Sequence, residues 1–220
     1  MKVAVFYYWN PAATCHIEWD AVDPKSHAKA GAKCFHALKR AMPGVEAVHL
    51  TDETTPMLPG ADRAIRLPSD RPLALYRLHH YRSLPADDWL LLDTDIWVQQ
   101  DVQHVFEVDF DIGVVNRHGT TPVAIAKFHP YNIGVVFSRS SAFWGCAYQR
   151  LAALPVKKHE WIGDQSAMNR EVATGNWKTL ILPGSQYNYF PTGGDDEVSG
   201  RAILHYKGWR KDALMLRRTL

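Results

Sequence analysis

The sequence predicts a single α/β domain in which a mostly parallel sheet is flanked by helices. Short, continuous apolar runs of the kind that form buried strands alternate with segments in which apolar residues recur at helical spacing. The 220 residues are enough to bury roughly 70% of the unfolded surface in one core. A content of 46% hydrophobic and 22% charged residues is typical of globular proteins and argues against a disordered chain.

The first half of the chain is predicted to begin with a buried strand. Residues 2–8 form a continuous apolar run, which is typical of a strand covered on both faces. A helix follows, with Asp23-Pro24 as its cap and first position, and Pro43-Gly44 ends it. Next come a strand at 45–50, a turn-rich segment at 51–71 with a short strand at 64–67, and a helix that begins near Asp70 and Pro72.

The second half continues the same alternation. Residues 89–92 are a short, fully apolar strand that leads directly into Asp93-Thr94-Asp95. Ser140 or Ser141 and Asp164 suit the N-caps of two helices. We expect further strands at 108–115, 131–138 and 177–182, helices at 141–154 and 164–173, and a basic helix from Trp209 onward.

Charge and cysteine content narrow the class of protein. The 25 Lys and Arg against 23 Asp and Glu leave a formal charge of +2, which gives no strong indication of a nucleic-acid coat or a membrane-surface protein. No segment approaches the ~18 apolar residues that a membrane span needs. Asn10-Pro11 ends the first apolar run without a convincing signal-peptide cleavage site. Cys15, Cys34 and Cys146 are widely spaced, as expected for reduced thiols in a cytoplasmic protein.

Asp93 and Asp95 are the strongest local indication of chemistry. In open α/β sheets, sites form where strands end at their carboxyl edge, and these two carboxylates follow a buried strand directly. Hard oxygen ligands suit Mg²⁺ or Mn²⁺, which complete their coordination with phosphate oxygens and water. The alternative is a solvated turn with an Asx cap. The apolar residues on both sides of the triplet favour the metal site.

A second candidate motif lies near the carboxyl terminus, where His205, Gly208 and Lys211 have the spacing H-x-x-G-x-x-K. A histidine at a strand end can bind a metal, a glycine lets backbone approach a phosphate, and a lysine can neutralise it. Each residue taken alone has an ordinary explanation as a surface or core group. Their common spacing favours a shared role.

With these motifs the chain resembles metal-dependent GT-A glycosyltransferases, most closely the retaining family eight that includes glycogenin and bacterial lipooligosaccharide galactosyltransferases. The resemblance extends over residues 76–211 and consists of short motifs in the family's order: Tyr76-Arg77-Leu78, Leu91 to Ile96, Tyr131 to Val135, Gly163-Asp164-Gln165, Tyr187 to Phe190, and His205 to Lys211. It implies one Rossmann-like GT-A domain over residues 1–220. The nucleotide-binding part would lie at about 1–100 and the acceptor and catalytic part at about 101–220.

The resemblance also implies roles for individual residues. Asp93, Asp95 and His205 would hold a Mn²⁺ or Mg²⁺ that bridges the donor diphosphate. Asp164 and Gln165 would lie beside the transferred sugar as the catalytic pair, although Asp164 also suits a plain helix cap. The implied donor contacts are Tyr8, Asn10, Arg77, Thr94, Gly208 and Lys211, and the residues implied to line the sugar and acceptor site are Asn132, Gly134 and Asn188.

The implied activity is transfer of a hexose from a nucleotide sugar, most readily a UDP-sugar, to a hydroxyl acceptor with retention. The expected acceptor is a glycan precursor. A hydroxylated base in DNA is an alternative, with His79, His80, Arg82, Arg201, Arg217 and Arg218 as candidate phosphate contacts. Two other classes compete: a nucleotidyltransferase, which would need a Gly-rich loop after the first strand, and a non-catalytic nucleotide- or glycan-binding relative, which would have lost the carboxylates.

Overall fold

The first apolar run forms β1 (Lys2–Phe6), an inner strand of a seven-stranded sheet. The computed structural model of the chain describes residues 1–8, 24–117, 127–159, 162–191 and 198–207. Val3, Ala4 and Val5 are completely buried, because the sheet is covered on both faces. The predicted first strand is therefore confirmed for residues 2–6, and it ends two residues earlier than the apolar run predicted.

The other described elements follow in the predicted alternation. They are α1 (Pro24–Ala41), β2 (Glu46–Thr51), β3 (Arg63–Arg66), α2 (Leu73–Arg82), β4 (Trp89–Leu92), β5 (Ile96–Val98), β6 (Ile112–Asn116), β7 (Tyr131–Ser138), α3 (Ser141–Ala152), α4 (Gly163–Val172), β8 (Thr179–Leu182), α5 (Gly184–Tyr187) and β9 (Ile203–His205). Short 3-10 helices occupy Gln103–Glu107 and Val156–Lys158.

The sheet is mostly parallel, as predicted. Its strand order is β3-β2-β1-β4-β7-β6-β8. β7 runs antiparallel to its neighbours β4 and β6, and the other neighbouring strands are parallel. β5 and β9 form a separate antiparallel pair in which Ile96 lies opposite His205. Since β1, β4 and β6 share one direction, the residues that follow them lie along the same edge of the sheet.

Alternate side chains of each strand reach opposite faces of the sheet. Leu90 and Leu92 of β4 pack in one cluster with Phe35 of α1. Leu91, between them, packs in the other cluster with Leu78 of α2, where Phe143 and Trp144 of α3 also lie. The result is a three-layer arrangement with one core on each side of the sheet.

Residues 108–111 do not extend β6, although the apolar pattern predicted a strand from residue 108. Val108 is exposed, and Lys178 binds this segment through the Asp109 carboxylate (2.6 Å) and through its own backbone N–H to Asp111 Oδ2 (2.9 Å). The two carboxylates are thus engaged by Lys178, and the β6 strand begins only at Ile112.

The predicted helix caps had different outcomes. Ser140 caps α3 by accepting a hydrogen bond from the Phe143 N–H (3.2 Å), as predicted. Asp164 is not the N-cap of α4, because the helix begins one residue earlier and Ile162 occupies the cap position with a left-handed φ of 68°. The Asp164 carboxylate is instead paired with Arg77. Asp23 and the predicted helix from Trp209 lie outside the described residues.

Two composition-based expectations concern the membrane and the cysteines. Among the described helices, none combines the length and the apolar character required to cross a bilayer. Cys34 is a buried free thiol and Cys146 an exposed one, so neither forms a disulfide. Cys15 lies outside the described residues.

Candidate active site

Strand pairing brings the acidic triplet and the carboxyl-terminal histidine together. β4 ends just before Asp93, whose backbone N–H donates to the Gly134 carbonyl of β7 (2.9 Å). The chain then turns into β5, and the pairing of Ile96 with His205 places β9 beside Asp95. Residues more than a hundred positions apart therefore share one edge of the sheet.

The three predicted metal ligands form a compact cluster. One ligand atom from each of Asp93, Asp95 and His205 lies within 4.8 Å of the others. His205 Nε2 is 3.1 Å from Asp95 Oδ1 and 3.9 Å from Asp93 Oδ2. Burial lowers the pKa of the His205 imidazole, although Asp95 acts in the opposite direction. The ring therefore favours its neutral form, which is the form that binds metals.

Three observations show that this cluster suits a divalent cation. Its donors are two carboxylates and an imidazole, a set that Mn²⁺ and Mg²⁺ accept. The buried Nε2 of His205 forms no hydrogen bond of good geometry with a described residue, although Asp95 Oδ1 lies 3.1 Å away. A Cβ at Gly134 would lie 2.5 Å from His205 Cε1 and 2.6 Å from Asp93 Oδ2, so the glycine leaves space beside the ligands.

Asn188 lies directly behind His205. Its Oδ1 is 2.8 Å from His205 Nδ1, and both side chains are completely buried. The sequence resemblance implied that Asn188 lines the sugar and acceptor site. The structure places its side chain against the imidazole of the metal cluster.

Arg77 of α2 links the metal cluster to the predicted catalytic pair. Its guanidinium is 3.2 Å from Asp93 Oδ1 and 3.2 Å from Asp164 Oδ2, and it lies over the Phe6 ring. Burial opposes its charge, but the two carboxylates outweigh this effect and raise the pKa of Arg77. Arg77 therefore stays positively charged within the site while it forms salt bridges with Asp93 and Asp164.

Asp164 and Gln165 lie in the first turn of α4 and have different surroundings. Asp164 is buried, which raises the pKa of its carboxyl group although Arg77 lowers it. Gln165 Oε1 accepts hydrogen bonds from Asn132 Nδ2 (3.1 Å) and from the Ile133 backbone N–H (3.4 Å). Asn132 Oδ1 in turn accepts from the Gly134 N–H (2.8 Å). Three residues named for the sugar side of the site therefore form one network.

Asn169 supports this network and was missed by the sequence reasoning. Its side chain accepts a hydrogen bond from the Tyr131 N–H (2.9 Å) and donates one to the Tyr131 carbonyl (3.0 Å). Asn169 is four residues after Gln165, so both amides point from α4 to β7. That i, i+4 spacing of two amides was the available signal.

Lys207 is a second missed residue. Its Nζ lies 5.4 Å from the centre of the Phe190 ring, which is itself 5.2 Å from the His205 ring. Burial lowers the pKa of Lys207 to about 8, although the negative charge of Asp93 acts in the opposite direction. Lys207 lies just beyond the end of β9, two residues after His205, and this proximity to a predicted ligand was the available signal.

The remaining predicted donor contacts are only partly described. Tyr8 is half-buried and packs edge-on against Tyr76, with ring centres 4.9 Å apart. The Thr94 methyl group points towards α1, 3.5 Å from where a Cβ at Gly31 would lie. Their contacts with a donor remain predictions. Asn10, Gly208 and Lys211 lie outside the described residues.

The candidate DNA-phosphate contacts do not all reach the surface. His80 is completely buried between aromatic rings, so the prediction that it contacts phosphate is wrong. Its helical position turns it into the core rather than towards solvent. Arg82 stacks on Tyr148, and Arg201 lies over Tyr189. Arg217 and Arg218 lie outside the described residues.

No protein-family model matches this sequence, and a search of the curated proteins finds no similar sequence. Solved glycosyltransferase structures, however, share its fold. The galactosyltransferase LgtC, solved with donor and acceptor sugar analogues, is 12% identical, with 98% of this chain and 94% of LgtC covered at a TM-score of 0.63. A glycosyltransferase involved in glycosylation of the major capsid of PBCV-1 is 10% identical, with 99% of this chain and all of that chain covered (100%) at a TM-score of 0.63.

A third similar structure is larger than this chain. The apo form of the glycosyltransferase GlyE from Streptococcus pneumoniae TIGR4 is 19% identical, with a TM-score of 0.65 over 93% of this chain. The match covers 54% of GlyE, so the chain spans about half of its length. Together these likenesses show that the chain has the fold of GT-A glycosyltransferases, as the sequence motifs implied.

Proposed function

We propose that this protein is a metal-dependent glycosyltransferase that moves a hexose from a nucleotide sugar, a UDP-sugar in the first instance, to a hydroxyl acceptor with retention. The observation that carries the proposal is the cluster of Asp93, Asp95 and His205 at the carboxyl edge of a GT-A sheet. LgtC, which has this fold, is a galactosyltransferase solved with donor and acceptor sugar analogues. We assign residues 1–100 mainly to the nucleotide and 101–220 mainly to the acceptor and catalysis.

Asp93, Asp95 and His205 would hold the Mn²⁺ or Mg²⁺ of this enzyme. When bound, such a cation stabilises the negative charge that develops on the departing diphosphate. Gly134 contributes by leaving the space beside Asp93 and His205 free of a side chain.

Positive side chains of the chain itself would share the task of stabilising the leaving group. Arg77 contacts Asp93 and Asp164. Lys207 lies over the Phe190 ring and interacts electrostatically with Asp93. Fixed positive charges in a partly dehydrated site stabilise developing negative charge strongly, because they need no reorganisation during the reaction. Contacts of Gly208 and Lys211 with the diphosphate belong to the same proposal.

Asp164 and Gln165 would act on the sugar side of the reaction. The bond between the sugar C1 and the diphosphate oxygen breaks with its electron pair on the leaving group, the acceptor oxygen bonds to C1, and the acceptor proton is released. Asp164, which pairs with Arg77, would stabilise the positive charge that develops on the sugar. Gln165 is fixed by Asn132, and an active-site glutamine of LgtC is the residue replaced in a solved variant of that enzyme.

The test is release of nucleoside diphosphate from a panel of UDP- and GDP-sugars, with Mn²⁺, with Mg²⁺ and with EDTA. We expect release of nucleoside diphosphate only when a divalent cation is present. In Asp95→Asn the rate of release should fall more than about 100-fold, since removing even an outer partner of a metal ligand lowers activity about 10–100-fold. Asp101→Asn is the matched control, because the exposed Asp101 carboxylate accepts hydrogen bonds from Gln103, two residues away, and is not one of the clustered ligands.

Several outcomes would contradict the proposal. Equal rates in EDTA, or an unchanged rate in Asp95→Asn, would rule out the metal assignment. Binding of a nucleotide sugar without release of diphosphate, with any acceptor supplied, would favour a non-catalytic binding protein. Acceptors in the panel should include glycan precursors and duplex DNA with hydroxymethylated bases, so that the product identifies the acceptor class.

A further inference from the structure

We propose that Asn188 is a positioning residue that holds His205 in the tautomer and orientation in which Nε2 can bind a cation together with Asp93 and Asp95. The inference rests on the metal site of the proposed function. It gives Asn188 a role different from the lining of the sugar site that the sequence motifs implied.

The contact between the two side chains carries the proposal. Asn188 Oδ1 lies 2.8 Å from His205 Nδ1, and both side chains are completely buried. An amide carbonyl accepts hydrogen bonds and cannot donate them, so Nδ1 must carry the ring hydrogen. The lone pair of the neutral ring is then on Nε2, which lies 3.1 Å from Asp95 Oδ1 and 3.9 Å from Asp93 Oδ2.

The backbone keeps the two residues facing each other. The Asn188 N–H donates to the Gly184 carbonyl (3.1 Å), which closes the short helix α5. The next residue, Tyr189, binds β9 on both sides: its N–H donates to Ile203 O (3.1 Å), and its carbonyl accepts from the His205 N–H (2.8 Å). Asn188 and His205 are thus held on adjoining, hydrogen-bonded segments.

The cost of this arrangement also indicates a role beyond packing. Asn188 Nδ2 is buried and makes no hydrogen bond with any described residue. Burying an unpaired amide N–H group is unfavourable, and leucine has a similar size without that cost. The contact that offsets the cost is the one between the amide carbonyl and His205.

The alternative is an amide turned by 180°, with Nδ2 donating to His205 Nδ1. The ring hydrogen would then lie on Nε2 and point at the carboxylates, and the imidazole would not be ready to bind a cation. Nitrogen-15 chemical shifts of the wild-type His205 ring separate the two cases, because they report which ring nitrogen carries the hydrogen. The carboxylate of Asn188→Asp can only accept, so that variant should keep the hydrogen on Nδ1. Carboxylate partners also make metal-bound histidines more basic.

The experiment measures Mn²⁺ binding by calorimetry and by electron paramagnetic resonance of free Mn²⁺, at pH 8 and without any sugar donor. The proteins are the wild type, Asn188→Asp and Asn188→Leu, with Gln99→Leu as a control. Gln99 also ties down the segment before β9, through hydrogen bonds to Val198 O and Arg201 O, but it is not one of the clustered ligands. Nitrogen-15 chemical shifts of the His205 ring report its tautomer directly.

We expect Asn188→Leu to weaken Mn²⁺ binding by about 10–100-fold, the usual loss when an outer partner of a metal-bound histidine is removed. Asn188→Asp should bind at least as tightly as the wild type and keep the hydrogen on Nδ1, and Gln99→Leu should bind normally. Equal affinity in Asn188→Leu, or equal losses in the Asp and Leu variants, would overturn the inference while leaving the metal site intact. A wild type that binds no Mn²⁺ would overturn the metal site itself, and the inference with it.

Discussion

Two buried histidines beside the first strand should make the protein sensitive to mild acid. His80 is completely buried and packs edge-on against Tyr76 and Phe6. Neither of its ring nitrogens forms a hydrogen bond of good geometry with a described residue. Burial lowers the pKa of His80 to about 3. His49 is also buried, and burial lowers its pKa to about 4. Its Nδ1 accepts from the Leu58 N–H (3.2 Å), a hydrogen bond that protonation of Nδ1 would remove.

The size of the effect follows from the difference between folded and unfolded pKa values. An unfolded histidine binds a proton below pH 6.5, whereas folded His80 remains neutral down to about pH 3. The unfolded state therefore gains protons first, and stability is lost as the pH falls below 6.5. At pH 5, 1.5 units below the unfolded pKa, each of the two histidines costs about 2 kcal/mol of unfolding free energy relative to pH 8.

Urea unfolding of the wild type and of His80→Phe at pH 8 and pH 5 tests this reasoning. Phenylalanine keeps an aromatic ring against Phe6 and Tyr76 and cannot be protonated. We expect the wild type to lose about 2 kcal/mol more than His80→Phe between the two pH values. All other titrating groups, including the His49 and Asp164 side chains, cancel in this comparison. The same loss in both proteins would refute the assignment of a buried, neutral His80.

Three further predictions concern the site and its supports. Gly134→Ala should weaken Mn²⁺ binding at least about 10-fold in calorimetry, because its Cβ would lie 2.5 Å from His205 Cε1. The control Gly145→Ala, with nothing within 4 Å of its added Cβ, should bind Mn²⁺ normally. Equal Mn²⁺ binding by both variants would show that the metal site does not need the space at Gly134. Lys207→Met should weaken binding of the nucleoside diphosphate about 10-fold at saturating Mn²⁺, since it removes a charge-assisted contact; an unchanged dissociation constant would exclude Lys207 from the donor site. Ile162→Gly should raise the unfolding free energy by up to about 1 kcal/mol, because glycine adopts the left-handed φ of 68° without strain; a lower urea midpoint would show that the isoleucine side chain matters more than its backbone.

Short-range patterns in the sequence predicted most of the elements that position the site. The apolar run at 89–92 followed at once by Asp93 and Asp95 predicted both a buried strand and the carboxylates at its end. The Ser140 cap was likewise predictable, because it involves the N–H three residues away. Such features depend on residues within one or two turns, and these are visible in any short window of sequence.

The predictions that were wrong depended on partners far away in the sequence. No residue near Val108 indicates that Lys178 binds Asp109 and Asp111. Lys178 follows them by 69 and 67 residues in the sequence. Asp164 suited a helix cap locally, but the positive charge of Arg77 from another helix engages its carboxylate instead. In each case a distant partner outweighed a local preference.

The sequence alone determined the α/β class, the apolar strands and the carboxylates that follow one of them, because periodicity and capping are set by neighbouring residues. Tertiary structure decided what those carboxylates meet. The pairing of β5 with β9 brings His205 to Asp95, and the contact of α4 with β7 places Gln165 on Asn132. The support of His205 by Asn188 also depends on how separate segments pair in the folded sheet. Contacts of this kind are fixed by packing and strand register, which no local pattern encodes.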